Sequence, residues 1–301
     1  MNSFSFLFLI YSFLVVFFVI CIFILVYFLI YIIYIFIFLP SNLEFKIFKY
    51  IGNYVRKIFA GISHHFPVQF INKYSIKSDK KYLYIFIPHG LLTISQIVHI
   101  LDPNSPLKFL NMYNAAHSFV FKIPILRELA LMMGIIPVEK AHIKNYLKES
   151  SVSITVGGKK EVSYALDNEV NDKLFIKNRK GFIRIAKDAH IEIVPIYCWN
   201  EQQILTFKPT ENLQILGEIL SKIIGRTFEI NLIQIFLPDK LLTLFNALLG
   251  KISAVKLFVG TPINIDGLTV DEAHSFYLKK IKELFSYAAK SENSDKQLII
   301  E

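Results

Sequence analysis

The first charged side chain in this chain is Glu44. From Phe4 to Leu39 the sequence is almost wholly Phe, Ile, Leu, Val and Tyr, with Ser5, Ser12 and Cys21 the exceptions. A helix with no polar face cannot lie on the surface of a soluble domain. A signal-peptide core would be far shorter, and no small-residue cleavage site follows. The run therefore predicts a membrane anchor over residues 1–40 and a second unit over 41–301. About 36 residues of helix would run roughly 54 Å, against a hydrocarbon core of about 30 Å. One steeply tilted transmembrane helix and a re-entrant helical hairpin both satisfy that length. Lys46, Lys49, Arg56 and Lys57 follow the run, which directs the remainder to the cytoplasm by the positive-inside rule.

Composition narrows the partners. The formal net charge is +9. A basic domain beside a bilayer attracts anionic headgroups, and the same charge serves a polyphosphate-bearing substrate. The charges are scattered and no zinc-finger spacing occurs, so nucleic acid is not expected as a partner. The two cysteines, Cys21 and Cys198, do not form a framework that folding would need. Glu44 to Pro67 reads as a basic amphipathic helix suited to a membrane surface.

Beyond that point, Tyr82-Leu-Tyr-Ile-Phe-Ile87 is aromatic or branched throughout, the pattern of a buried strand. Pro88 ends it, because proline donates nothing to a sheet ladder. His89 follows, then Gly90, then helix-like spacing from Leu91 to Leu101. A histidine between a strand end and a helix occupies the place where open α/β sheets put their chemistry. A histidine in a plain surface turn would leave the same motif.

Further strands are expected over 108–114, 135–138, 152–156, 190–197 and 257–265. Helices are expected over 115–133 in two pieces, 141–151, 182–189 and 269–290. Alternating strands and short helices predict an α/β domain with a central, largely parallel sheet flanked by helices. Val156-Gly157-Gly158-Lys-Lys-Glu161 is not a phosphate loop, since the Walker spacing is missing. It reads as an exposed strand end carrying Glu161. Residues 213–255 are again strongly apolar and suggest a flap facing the membrane. The tail after Ser291 is expected to be loose until its last residues.

Elimination leaves few chemistries. No Gly-x-Ser-x-Gly is present, nor a His-Glu-x-x-His or cysteine pair, which argues against a serine hydrolase or a zinc enzyme. His89, Glu161 and the basic pair Arg179-Lys180 sit at predicted strand ends. That set suits a histidine general base acting on a lipid hydroxyl with a polyphosphate-bearing co-substrate.

The order of motifs resembles the diacylglycerol acyltransferase type-two family, which also contains monoacylglycerol and wax-alcohol acyltransferases. The family's His-Pro-His-Gly resembles Ile87-Pro88-His89-Gly90. Its Pro-x-x-Arg-Glu resembles Pro124-Ile-Leu-Arg127-Glu128. Its Val-Gly-Gly-x-x-Glu resembles Val156-Gly157-Gly158-Lys-Lys-Glu161, and its Arg-x-Gly-Phe resembles Arg179-Lys-Gly181-Phe182. Its Val-Pro-x-Tyr-x-Phe-Gly-Glu resembles Val194-Pro195-Ile-Tyr197-Cys-Trp199-Asn200-Glu201, and its Val-Gly-x-Pro-Ile resembles Val259-Gly260-Thr-Pro262-Ile263. The likeness spans roughly residues 80 to 290. Three positions depart from it: Ile87 replaces the first histidine, Trp199 a phenylalanine and Asn200 a glycine.

The resemblance implies a membrane-bound enzyme that moves a fatty acyl group from acyl-CoA to a diacylglycerol or related neutral acceptor, with no metal and no cofactor. His89 would take the hydroxyl proton, and amides at the following helix N-terminus would stabilise the oxyanion. Glu161, or Glu128, would orient the imidazole. Gly90, Gly157 and Gly158 would supply backbone turns at the substrate. Arg179, Lys180 and Arg184 would meet the CoA phosphates. The implied location is the endoplasmic reticulum membrane or a lipid droplet, and a homo-oligomer stays open. Two other readings remain. A lysophospholipid acyltransferase would need His-x-x-x-x-Asp, and Ile94 stands at the aspartate position. A catalytically inactive lipid-binding scaffold would explain the lost first histidine.

Overall fold

The computed structural model describes residues 15–31, 46–90, 92–122, 126–164, 171–204, 246 and 255–301. Residues 15–31 form helix α1, whose side chains are exposed almost throughout. Seventeen residues of helix rise about 25 Å, and no helix among the described residues is long and apolar enough to cross a membrane. The rest of the expected anchor, and most of the apolar stretch over 213–255, lie outside the described residues.

Helix α2 (Lys46–Ile58) follows, and then a seven-stranded sheet dominates. Its strands are β1 (Val68–Phe70), β2 (Tyr82–Ile87), β3 (Met112–Ala116), β4 (Ile135–Pro137), β5 (Ser151–Thr155), β7 (Glu192–Trp199) and β8 (Lys256–Val259), in the order β1-β8-β7-β2-β5-β3-β4. All neighbours run parallel except β7 and β8. A second sheet pairs β6 (Asp172–Leu174) in parallel with β9 (Leu298–Ile300). The expected α/β fold with a largely parallel sheet is present.

The strand at the centre, β2, is buried at every residue, which is why its sequence runs apolar without alternating. Its side chains still divide by parity. Leu83, Ile85 and Ile87 pack with helices α5 (Lys140–Tyr146), α7 (Gly181–Ala189) and α9 (Val270–Ser291). Tyr82, Tyr84 and Phe86 pack with α3 (Ile94–Leu101) on the opposite face. Thr269 caps α9 with a full capping box to Glu272.

Around β3 two local expectations fail. Residues 108–110 form a 3-10 turn and the strand begins at Met112. Residues 115 and 116 belong to that strand rather than to a helix, and α4 (Leu126–Met132) carries the helical part. Pairing of β3 with both β4 and β5 draws Ala115 and Ala116 into the ladder. Alanine's helix preference is too small to resist that tertiary context.

The topology places the site. From β2 the chain moves to one side through β3, β4 and β5, then to the other through β7 and β8. Because β5, β2 and β7 are adjacent and parallel, the loops after all three emerge at one edge. Such a change of direction leaves a crevice at the carboxyl ends of the strands.

Candidate active site

His89 lies in the loop after β2, half-buried, with the Ile87–Pro88 peptide bond cis. Its Nδ1 meets the Gly90 carbonyl oxygen. A carbonyl only accepts, so this contact favours the tautomer with the proton on Nδ1 and the basic lone pair on Nε2.

Glu161 holds this loop. It sits in the first turn of α6 (Gly158–Tyr164) and is fully buried. The expected exposed strand end is therefore a short helix, and Glu161 points inward. Its Oε2 accepts the backbone N–H of His89 at 2.7 Å. Its Oε1 accepts the backbone N–H of Phe175 at 2.8 Å. Glu161 thus meets His89 at the main chain and fixes the loop that carries the imidazole. Burial pushes its carboxyl up to about 8, against the pull of the two amides and of Arg179. The buried Tyr277 hydroxyl is pushed up by burial and by the same carboxyl.

Gly157 makes the arrangement sterically feasible. Its φ is +100°, and a Cβ there would stand 2.3 Å from the Glu161 carboxyl carbon. Only glycine permits both the backbone angle and the close approach. At Gly90 a Cβ would stand 2.7 Å from the carbonyl oxygen of Glu201.

Glu201 is a residue that the sequence reading quoted only as part of a motif. It begins α8 (Glu201–Ile204) immediately after β7 and is 2% exposed. Its carboxyl oxygens accept the backbone N–H of Ser95, in the first turn of α3, at 3.3 and 3.4 Å. Burial pushes this carboxyl up to about 7. The Ser95 amide at the start of α3 is therefore already engaged by Glu201. A signal was available: an acidic residue at the carboxyl end of a core strand must find donors to be buried.

The remaining candidates separate. Arg179 stacks over the Phe175 ring at 5.3 Å, acts on the Glu161 carboxyl, and approaches Gly158, which has φ +61°. Lys180 instead pairs with Asp271 at 2.7 Å, at the start of α9. Arg184 is exposed on α7. Glu128 lies on α4, where it accepts from Arg127 at 3.2 Å and from the Tyr31 hydroxyl of α1. The tail is not loose: Lys296 is buried against Asp172 at 3.2 Å. Among the described residues no cluster of three or more His, Cys, Asp or Glu could hold a metal ion.

The arrangement is a half-buried histidine on a loop clamped from both sides by buried carboxyls, with an exposed guanidinium at the neighbouring glycine turn. It can remove a proton from a bound hydroxyl and hold an anionic group beside it.

A family model described as diacylglycerol acyltransferase matches residues 14–301. Diacylglycerol O-acyltransferase 2 of Dictyostelium discoideum is 25% identical over 235 residues, 73% of this chain and 70% of that protein. 2-acylglycerol O-acyltransferase 1 of Bos taurus is 26% identical over 240 residues, 73% and 69%. Among solved structures, the 1-acyl-sn-glycerophosphate (LPA) acyltransferase PlsC of Thermotoga maritima aligns over 79% of this chain and 80% of its own, with 13% identity and a TM-score of 0.44.

Proposed function

Because the chain belongs to the diacylglycerol acyltransferase family, we propose that it transfers a fatty acyl group from acyl-CoA to the free hydroxyl of diacylglycerol, forming triacylglycerol. The observation that carries this reading is the hydrogen bond from His89 N–H to the buried Glu161, which fixes a histidine at the carboxyl edge of the central strands.

In the proposed reaction Nε2 of His89 takes the proton as the acceptor oxygen attacks the thioester carbonyl. The new C–O bond forms, the tetrahedral intermediate collapses, and the C–S bond breaks. The imidazolium returns its proton to the departing CoA thiolate. A thiolate is the better leaving group, with a conjugate acid of pKa about 8.5, so the chemistry needs no metal. A base of pKa about 6.5 suits proton removal near neutral pH. Arg179 is the candidate for a CoA phosphate, being exposed beside Gly158; Lys180 is engaged by Asp271.

The apolar run supports a membrane setting. Val15 to Ile30 is exposed almost throughout, and Tyr54 and Ile58 of α2 are 70% and 73% exposed. Contiguous exposed apolar surface of that extent calls for lipid or a partner. Basic residues directly after it favour the cytoplasmic side for the sheet domain; the endoplasmic reticulum membrane is the location proposed with this reading.

The test is product analysis. The protein is expressed in membranes lacking neutral-lipid synthesis, supplied with labelled acyl-CoA and each acceptor in turn. Labelled triacylglycerol from diacylglycerol is the expected result. Label only in phospholipid, or no product with any acceptor from well-expressed protein, would overturn the reading.

A further inference from the structure

The polar groups that grip the His89 loop are themselves tied to a point far along the chain. Helix α8 sends three successive side chains to three places. Glu201 takes the Ser95 amide, Gln202 bonds both backbone groups of Lys173 in β6 at 3.1 and 2.9 Å, and Gln203 reaches Asp172 at 3.2 Å. Asn200, with φ +66°, turns the chain from β7 into this helix.

Asn200, Gln203 and Asp172 converge on Lys296. Its ammonium donates to Asp172 at 3.2 Å, Asn200 at 3.0 Å and Gln203 at 3.4 Å, and lies 4.6 Å from the centre of the Trp199 ring. Asp172 is fully buried and also accepts from the Tyr197 hydroxyl. The Lys296 side chain is 6% exposed. A lysine this buried needs partners for every donor, and the fold supplies three acceptors and an aromatic face. Two residues further on, β9 pairs with β6.

Lys296 therefore ties together the β7–α8 corner and strand β6. The corner carries Glu201, whose carbonyl packs on Gly90 and whose carboxyl holds the start of α3. Strand β6 leads to Phe175, whose amide shares Glu161 with His89. We infer that Lys296 is a positioning residue: from the carboxy-terminal segment, through Asp172, Asn200 and Gln203, it holds both carboxyl clamps of the His89 loop in register. The kinetic part of this inference rests on the acyl-transfer reading; the structural part does not.

The test uses the full-length protein in detergent or nanodiscs. Lys296→Met alone leaves a buried aspartate unpaired and is the variant at risk of not folding; Asp172→Asn with Lys296→Met removes both charges together. Amide hydrogen exchange is followed at residues 89–95, separate from the Asp172, Asn200 and Gln203 partners of the Lys296 ammonium. The double variant is expected to exchange faster there, with kcat falling about tenfold and KM for acyl-CoA changing less than about twofold, as for a catalytic group slightly misplaced from a distance. Unchanged exchange at 89–95 in a folded double variant overturns the inference even if the enzyme reading stands. A double variant that does not fold also overturns it, since the pair would then support the whole domain. Faster exchange with unchanged turnover would refute the kinetic part. Faster exchange in a protein that transfers no acyl group would leave the clamp in place and remove the acyl-transfer reading.

Discussion

Glu161 and His89, separated by 72 residues, are joined by a 2.7 Å hydrogen bond from the His89 main chain to a carboxyl with no exposure to solvent. The bond follows from topology. Strands β2 and β5 are parallel neighbours, so the chain leaving β5 through Gly157 meets the chain leaving β2 through Pro88. Glu161 shapes the loop, and the histidine is presented as a consequence.

The first prediction concerns Gly157. Alanine there would be strained at φ +100° and would displace the Glu161 carboxyl. We expect Gly157→Ala to cost about 3 kcal/mol or more and to abolish turnover. Gly134→Ala is the control: φ is +71° with nothing within 4 Å of the added Cβ, so the cost is about 1 kcal/mol. Thermal unfolding of both variants checks the difference.

A second prediction follows from the raised carboxyl of Glu161. The unfolded chain loses this proton near 4.5 and the folded protein keeps it to about 8. Between those values the folded state binds more protons, so its stability falls as pH rises. The buried His99, pushed down to about 4, acts the other way below about 6.5, and Glu201, pushed up to about 7, acts in the same direction as Glu161; both are shared by the Glu161→Gln variant and cancel in the comparison. Between pH 6.5 and 7 the stability of wild type relative to Glu161→Gln should fall with a slope of about 1 kcal/mol per pH unit, dropping to about half that by pH 8. Equal pH slopes in the two proteins would refute this.

Ile87 supplies the third. It is fully buried among the residues packed beneath α7 and α9, although the resembled motif has histidine there. We expect Ile87→His to lose about 1–3 kcal/mol of stability and to gain no activity, because a polar ring would enter an apolar layer. A rise in kcat would show that position 87 takes part in the reaction.

Arg179 is the fourth. Arg179→Ala should raise KM for acyl-CoA about tenfold with kcat little changed, the effect shrinking at high salt. Lys180→Ala should raise it far less, because Lys180 is paired with Asp271. Equal effects of the two substitutions would remove Arg179 from the phosphate site.

Much of this architecture was legible beforehand, and the misses have physical causes. The core strand β2 showed itself because burial on both faces demands an unbroken apolar run. The placement of His89 followed from Pro88 and Gly90. Glu161 was found but misread, since local sequence does not reveal that a carboxylate folds back over the preceding glycines into the core. Glu201 and Lys296 were missed as site residues for the same reason: a charged side chain looks solvated until distant elements supply its partners. The tail after Ser291 reads as loose until its last residues because polar composition does not record that one lysine fills a site lined by Asp172, Asn200 and Gln203.

The central claim is that His89 is the general base, and a single pair of measurements tests it most directly. Acyl transfer from labelled acyl-CoA to diacylglycerol is measured for wild type and His89→Ala at matched expression, with thermal unfolding as the check on folding. We predict that turnover falls by about 10²–10⁴-fold while the unfolding temperature stays within a few degrees of wild type. A folded His89→Ala protein that still makes triacylglycerol at the wild-type rate would contradict the account.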